Sequence, residues 1–190
     1  MGDGKTILEI NALGTHYVDQ EFKKVMKEGT VILNVSSMSA YMLPNLLISA
    51  KKYPLIFKDE EKFVNKSLKK SRMFSKKMET SLAYPISKNF VCWYTKRVAN
   101  EMYEKGIRVI SVSSGNFSTT MGNLEAEQGK AFLKNAAIKR FGNPDEIASL
   151  FASLISKDFG YLTGTDIVCD GGTIGNLSVY SKKEQKEFKM

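Results

Sequence analysis

Apolar residues along the chain change repeatedly between helical spacing and short β-branched runs. Side chains at intervals of three and four residues predict helices at 7–27, 85–104, 124–139 and 143–156, with weaker periodicity over 59–78. Short continuous apolar runs predict buried strands at 30–37 (TVILNVSS), 107–113 (IRVISVS) and 165–170 (TDIVCD). The order of the elements is therefore helix, strand, helix, strand, helix, strand.

This alternation predicts an α/β fold, because helices that connect parallel strands pack on the faces of the sheet. Residues at the boundaries agree with it. Pro85 suits the first turn of its helix, Gly106 its C-terminal cap, and Asn143 the N-cap of the following helix. We expect one domain over 1–177, without internal repeats, and a charged tail at 178–190.

The positive charge of the chain is confined to one segment and one tail. Of the formal net charge of +8, residues 51–80 contribute ten Lys or Arg against four Asp or Glu, and residues 181–190 contribute four Lys against two Glu. No motif interleaves these charges with stacking aromatic residues. A solvated helical face is therefore the preferred interpretation, and an RNA- or membrane-binding patch ranks last. We expect neither nucleic acid nor a membrane as partner.

Composition restricts the class of protein further. The 190 residues contain no uninterrupted apolar run near the roughly 20 residues that span a bilayer. The first residues, MGDGKTILEINALG, lack the layout of a signal peptide. Cys92 and Cys169 form no CxxC motif and His16 is the single histidine, so a disulfide or a metal site is not expected. We predict a cytoplasmic protein.

The stretch TSLAYPISKNF places Tyr84 and Lys88 four residues apart on one predicted helix. A chain with 8 tyrosines and 24 lysines is expected to contain about one such pair by chance. Spacing alone therefore leaves open a proton-transfer pair and two surface neighbours. A phenol has a pKa near 10, and a lysine ammonium one helical turn away lowers it by favouring the phenolate.

Other candidate residues lie near the carboxyl ends of the predicted strands, where ligands bind in sheets of this kind. Ser37 closes the first strand, Gly115 and Thr119 follow the second, and Asn11 lies in the preceding helix. A serine hydroxyl can hold a substrate oxygen, and an asparagine can hold a water that relays protons to a lysine. These groups suit proton transfer to an alcohol or carbonyl oxygen during hydride transfer. Each residue alone also has an ordinary structural explanation, so the hypothesis rests on their order.

Five stretches in order along 7–172 resemble the short-chain dehydrogenase/reductase family: ILEINALGTHYV, GTVILNVSSMSA, YPISKNFVCWYTKRVANEMYEKGIRVISVSSGNFSTTM, RFGNPDEIASLFASLIS and YLTGTDIVCDGG. The resemblance implies the C-terminal part of a Rossmann-like doubly wound parallel sheet with flanking helices. It also implies a catalytic tetrad of Asn11, Ser37, Tyr84 and Lys88, in which Asn11 anchors the water relay.

Under this resemblance Tyr84 is the acid–base and Ser37 the partner of the substrate oxygen. Lys88 also binds the nicotinamide ribose and Thr119 contacts the carboxamide, so Tyr84, Lys88, Gly115 and Thr119 are cofactor-binding positions. The implied cofactor is NAD or NADP. The implied activity is the interconversion of a secondary alcohol and a carbonyl compound, with a small molecule as substrate.

Two local features depart from the family pattern. The loop after the second strand reads Ser114-Gly115 where the family usually has Pro-Gly, and we expect a small effect. The connection from Ser37 to Tyr84 is much longer than usual, with an insertion at about 41–80. This length resembles the bacterial 3α-hydroxysteroid dehydrogenase/carbonyl reductases, which suggests a steroid-like substrate. We predict that the insertion shapes the pocket and blocks a tetramer interface.

The largest departure is the missing TGxxxGxG motif, which holds the cofactor pyrophosphate in the family. We therefore expect a truncated domain that is incomplete or inactive alone. The apolar edge of the strand at 30–36 invites pairing with another chain. Expected partners are a second copy or a complementing N-terminal half. The alternative is a non-catalytic remnant that acts as a protein-interaction module.

Overall fold

Three parallel strands of the described residues form one sheet, in which they lie side by side in their order along the chain. The computed structural model describes residues 3–69, 71–73, 76–119 and 126–179. Strand β1 is Val31–Ser37, β2 is Arg108–Ser114 and β3 is Thr165–Cys169. The predicted strands and the α/β class are confirmed.

The α-helices of the described residues cover most of the predicted helical stretches. They are α1 (Gly4–Leu8), α2 (Gly14–Lys23), α3 (Glu60–Leu68), α4 (Lys76–Tyr103), α5 (Ala126–Leu133), α6 (Pro144–Leu154) and α7 (Thr173–Val179). Shorter 3-10 helices span Met38–Tyr41, Ala50–Phe57, Ser71–Met73 and Lys157–Phe159.

The first predicted helix is continuous but irregular. It begins earlier than predicted, because the Asp3 carboxylate accepts the N–H of Thr6 at 2.8 Å and so caps α1. A π-helical segment, Glu9–Leu13, joins α1 to α2. Short π-helical segments often mark functional sites, and this one contains Asn11.

Helix α4 is longer than its sequence pattern predicted, and the placement of Pro85 in a first turn was wrong. Pro85 lies inside the 28-residue helix. The turns before it are held by packing against α1, since a Cβ on Gly4 would lie 3.0 Å from Glu79 Cγ and Ala83 is fully buried. This packing overrides the usual preference of a residue before proline for an extended backbone.

Helix α7 was not predicted. It begins after Gly171 and Gly172, which both have positive φ angles. The Asp170 carboxylate accepts the N–H groups of Gly172 at 2.9 Å and Ile174 at 2.7 Å, which satisfies donors at the start of the helix. The predicted tail at 178–190 overlaps the end of α7, and 180–190 lie outside the described residues.

The predicted insertion at 41–80 contributes to the main core. Tyr53, Ile56, Phe63 and Leu68 are each 2% exposed or less and pack in one cluster with Phe90 of α4. This segment is therefore integral to the folded domain. Its effects on a substrate pocket and on a tetramer interface stay predictions.

The main core lies on one face of the sheet, and α6 covers the other face. Ile110 and Val112 of β2 are fully buried there with Leu154. The guanidinium of Arg108 donates to the carbonyls of Leu154 and Ser156 at the end of this helix. Helices on both faces thus leave the carboxyl edge of the sheet open for a site.

Candidate active site

Helix α4 places Tyr84 and Lys88 one turn apart on the same side. The Lys88 ammonium lies 5.7 Å from the centroid of the Tyr84 ring. The Tyr84 side chain is 38% exposed, so its phenol is accessible to a small molecule. The helix therefore brings an acid–base candidate and a positive charge to one accessible surface.

Lys88 forms two hydrogen bonds with β1, one through its side chain and one through its backbone carbonyl. Its Nζ donates to the carbonyl of Val35 at 3.0 Å, and its own carbonyl accepts from Ser36 Oγ at 2.9 Å. Burial lowers the pKa of Lys88. Both contacts lie within two residues of Ser37, so they bring the lysine to the end of the strand.

Ser37 is the last residue of β1 and caps the 3-10 helix that follows. Its Oγ accepts the N–H of Ser39 at 3.2 Å, so its hydroxyl proton can be donated to another oxygen. Asn89 Nδ2 donates to the Ala40 carbonyl at 3.0 Å and ties this 3-10 helix to α4. Ser37 therefore lies beside the helix that carries the lysine.

Asn11 reaches α4 through a serine. Its Nδ2 donates to Ser87 Oγ at 3.1 Å, and Ser87 Oγ donates to the Tyr84 carbonyl at 2.7 Å. The Asn11 carbonyl accepts from Thr15 Oγ1 at 2.8 Å. The π-helical segment is thus hydrogen-bonded to the helical turn that carries Tyr84 and Lys88.

Gly115 and Thr119 follow β2 on the same edge. The Gly115 N–H donates to the Cys169 carbonyl at 2.8 Å, and a Cβ there would lie 2.6 Å from Asp170 Cα. Only glycine permits this close approach. Thr119 is exposed, and its N–H donates to the Phe117 carbonyl at 2.9 Å. Their roles toward a cofactor stay predictions.

Two further residues of this site, Ser36 and Ser87, received no functional role from the sequence pattern, although Ser36 was expected at this edge of the sheet. Both are buried and bonded to the backbone of the Tyr84–Lys88 turn. One signal was present in the sequence: polar hydroxyl residues stand at positions where the strand and helix patterns call for buried side chains. Such groups must find hydrogen-bond partners inside the protein.

Tyr41 is a second tyrosine near the end of β1, and its environment differs. Its hydroxyl donates to Asp166 Oδ2 at 2.6 Å, and Ser111 Oγ donates to the other oxygen at 2.5 Å. Burial and the bond to Asp166 raise the pKa of Tyr41 well above its ordinary value. Tyr41 is therefore a poor acid–base at neutral pH.

In the part of the chain that the structure describes, no group of three or more His, Cys, Asp or Glu side chains is placed to hold a metal ion. None of the described helices is both long enough and apolar enough to cross a bilayer.

Known proteins resemble the chain along most of its length. A family model described as enoyl-(acyl carrier protein) reductase matches residues 46–173. A short-chain dehydrogenase/reductase of Alternaria brassicicola is 27% identical over 92% of the chain and 64% of its own length. A 7α-hydroxysteroid dehydrogenase of Bacteroides fragilis is 38% identical over 50% of the chain and 38% of its own length.

Solved structures show the same fold. The chain matches a short-chain dehydrogenase/reductase from Serratia marcescens with a TM-score of 0.66 and 24% identity, over 88% of the chain and 55% of that protein. It matches a short-chain dehydrogenase from Burkholderia cenocepacia, solved with NADP, with a TM-score of 0.65 and 20% identity, over 87% and 54%. The chain thus spans less than two thirds of each of these relatives. By its family model and its fold, it belongs to the short-chain dehydrogenase/reductase family of oxidoreductases.

Proposed function

We propose that the chain carries the proton-transfer side of an NAD(P)-dependent oxidoreductase site, which interconverts a secondary alcohol and a carbonyl compound. One observation carries the proposal. The Lys88 ammonium lies 5.7 Å from the Tyr84 ring and donates to the carbonyl of Val35, two residues before Ser37. This side chain joins the helix that bears the phenol to the strand that ends in the serine hydroxyl.

Each residue has a distinct task in carbonyl reduction. Tyr84 donates its phenolic proton to the carbonyl oxygen, and the positive charge of Lys88 stabilises the phenolate that is left. Ser37 donates a hydrogen bond to the same oxygen and holds it beside the phenol. A proton from solvent then restores the Tyr84 phenol through a water at Asn11 and the Lys88 ammonium. Alcohol oxidation uses the same steps in reverse.

The residues at this edge fit the nicotinamide end of a dinucleotide. A lysine ammonium has three N–H donors, and Lys88 directs one to Val35, so it has donors to offer to ribose hydroxyls. When bound, the nicotinamide supplies or accepts the hydride. Support comes from structural relatives that were solved with NADP and with NADH. NADH and NADPH are therefore compared directly in the assay below.

We propose a bulky secondary alcohol or its ketone, such as a hydroxysteroid, as the substrate. The 38% identity to a 7α-hydroxysteroid dehydrogenase supports this class. The exposed position of Tyr84 is consistent with a bulky substrate, because a wide molecule can approach the phenol from solvent. We also propose a cytoplasmic location, which agrees with the free thiols of Cys92 and Cys169.

The experiment is a carbonyl-reduction assay of the full chain with three hydride donors: NADH, NADPH and reduced nicotinamide mononucleotide. Ketosteroids and small ketones are the test substrates, and Tyr84→Phe is the control. Because the sequence contains no TGxxxGxG motif, we expect turnover far below that of a complete dehydrogenase, and we expect Tyr84→Phe to abolish it. We also expect the mononucleotide to serve nearly as well as NADH, because the proposed contacts involve the nicotinamide end. Undiminished turnover in Tyr84→Phe, or none in the parent chain, would contradict the proposal.

A second candidate function is protein interaction without catalysis. Ile10, Val18 and Phe22, on or beside α2, are each more than half exposed, and β1 forms an edge of the three-stranded sheet. Exposed apolar side chains beside an open strand edge favour association with another polypeptide. The partner would be a second copy or a polypeptide that supplies the cofactor-phosphate loop.

Sedimentation analysis of the parent chain and of Val18→Lys separates the two functions. Association that Val18→Lys disrupts, together with a lack of turnover, favours the interaction module. A monomeric chain with Tyr84-dependent turnover favours the enzyme and contradicts the interaction module.

A further inference from the structure

Two buried serines hold the backbone carbonyls of the two residues proposed for proton transfer. Ser87 Oγ donates to the Tyr84 carbonyl at 2.7 Å, and Ser36 Oγ donates to the Lys88 carbonyl at 2.9 Å. Ser87 is fully buried and Ser36 is 2% exposed. Both ends of the turn 84–88 therefore receive a side-chain hydroxyl donor.

Each serine is fixed by a second donor from another side chain. Asn11 Nδ2 donates to Ser87 Oγ at 3.1 Å, and Cys92 Sγ donates to Ser36 Oγ at 3.2 Å. A hydroxyl that accepts from a fixed donor directs its own proton to the remaining acceptor. Through these bonds, the turn is tied to the π-helical segment on one side and to β1 on the other.

The turn needs such ties because it is a weak point of the helix. Pro85 has no N–H, so the helical ladder lacks one hydrogen bond here. Tyr84 is 38% exposed, and packing therefore holds it less firmly than the buried side chains that follow. Hydrogen bonds to the carbonyls of Tyr84 and Lys88 fix the backbone from which both side chains extend.

We infer that Ser36 and Ser87 are positioning residues that act through the backbone of the turn 84–88 and set the placement of the Tyr84 phenol and the Lys88 ammonium. The inference rests on the proposed function. The position of the Lys88 ammonium depends on both the helix backbone and β1, because its Nζ donates to the carbonyl of Val35, the neighbour of Ser36 in β1. Displacement of the turn moves the ammonium away from this carbonyl and toward solvent.

Ser71 offers a matched control for a purely structural role. Its Oγ donates to the Leu68 carbonyl at 2.8 Å, and the residue is 1% exposed. The bond has the same type and sequence separation as that of Ser87 to Tyr84, but it lies at the end of α3. Ser71→Ala therefore removes an equivalent buried hydroxyl without touching the turn.

The test is an NMR titration of the full chain with 13C-labelled lysine, with the Lys88 resonance assigned by its loss in Lys88→Met. Burial lowers the pKa of Lys88 in the parent chain. We expect Ser36→Ala and Ser87→Ala to raise it toward the ordinary lysine value of about 10.4. We expect Ser71→Ala to leave it unchanged, and Ser36→Thr and Ser87→Thr, which keep the hydroxyl, to retain the parent value. The titratable neighbours Tyr84 and Cys92 are present in all these variants.

An unchanged Lys88 titration in both alanine variants would overturn the inference, as would an equal shift in Ser71→Ala. If Ser36→Ala does not fold, Ser87→Ala measured against Ser71→Ala decides the inference, because it removes the hydroxyl donor at the other end of the same turn. An unchanged Lys88 titration in Ser87→Ala would then overturn the inference. The titration needs no turnover. A shift without any carbonyl reduction would contradict the proposed function and leave the positioning inference standing.

Discussion

Two consecutive parts of α4 are held in place by different forces. In the turn 84–88, the hydroxyls of Ser36 and Ser87 donate hydrogen bonds to backbone carbonyls. The ammonium of Lys88 donates to the carbonyl of Val35. In the stretch 90–94, packed rings fix the helix, and Phe90 and Tyr94 are fully buried and stack at 5.6 Å between centroids. A group that exchanges protons with a substrate must stay accessible. In this turn, hydrogen bonds therefore add to the packing of Ile86, which is fully buried in the core.

The same contrast separates Tyr84 from Tyr94 in this helix. Tyr94 OH accepts from Gln20 Nε2 at 3.2 Å and lies 3.2 Å from His16 Nδ1. Burial raises the pKa of Tyr94 well above its ordinary value, so the phenol stays neutral. Tyr84 instead lies open beside a lysine. Environment, more than residue type, assigns the acid–base role.

Lys88→Met tests the electrostatic part of the contrast and is expected to have a large effect on turnover. Loss of the ammonium removes the charge that stabilises the phenolate, so we expect kcat of carbonyl reduction to fall by about 10²- to 10⁴-fold. Urea unfolding should show a folded chain, because methionine retains the buried aliphatic stem. Turnover near the parent rate would contradict the role of Lys88.

Phe90→Ala tests the packed part. The Phe90 ring lies 4.9 Å from that of Phe63 and 5.3 Å from that of Tyr53. Its loss from a fully buried site should lower the free energy of unfolding by about 3–5 kcal/mol. Phe57→Ala is the matched control, since Phe57 is 38% exposed and should cost less. Equal losses would show that ring packing does not distinguish this stretch.

Asp19→Asn tests a buried polar link next to the aromatic stretch. The Asp19 carboxylate accepts from Asn34 Nδ2 at 3.0 Å, and the same amide donates to Thr95 of α4 at 3.2 Å. Burial raises the pKa of Asp19 to about 6, against the opposing effect of the Asn34 hydrogen bond. The folded state therefore binds the proton more tightly than the unfolded state, in which the pKa is about 3.9.

The sign of the pH effect follows from that difference. The contribution of Asp19 to stability is complete below about pH 4 and is lost as the pH rises through about 6. The stability difference between Asp19→Asn and the parent should therefore grow by about 2–3 kcal/mol in favour of the variant from pH 4 to pH 7. Urea unfolding at both pH values measures it, and the other carboxylates cancel in the difference. A constant difference would refute the shift.

Ser67→Ala has the smallest expected effect. Ser67 is fully buried in α3, and its hydroxyl has no hydrogen-bond partner among the described residues. Alanine has a higher helix propensity and removes the unpaired group, so we expect stabilisation by up to about 1 kcal/mol. Thermal unfolding should show a small rise in Tm. A fall in Tm would mean that this hydroxyl has a partner.

Periodicity predicted the sheet well because the strands are short β-branched runs with buried positions. All three parallel strands appear within one or two residues of their predicted bounds. The long reach of α4 escaped prediction, since Pro85 is locally unfavourable and only contacts with α1 stabilise the turns before it. The sequence pattern also did not predict the burial of Tyr53 and Phe63, for a related reason. A charged, weakly periodic segment gives no sign of packing against distant rings.

The candidate site was predictable as a set of residue types and less so as a set of contacts. The order of Asn11, Ser37, Tyr84 and Lys88 along the elements pointed to one edge of the sheet. The π-helical segment around Asn11 and the bonds of the two buried serines depend on tertiary distances. Helical spacing and strand alternation do not encode such distances.

The most direct test of the central claim compares Tyr84→Phe with Tyr94→Phe in the same carbonyl-reduction assay. Each variant loses one phenolic hydroxyl from α4, one from the accessible turn and one from the packed stretch. We predict that Tyr84→Phe abolishes turnover with little change in the free energy of unfolding, and that Tyr94→Phe lowers stability but keeps turnover. Full activity in Tyr84→Phe would contradict the assignment of Tyr84 as the acid–base.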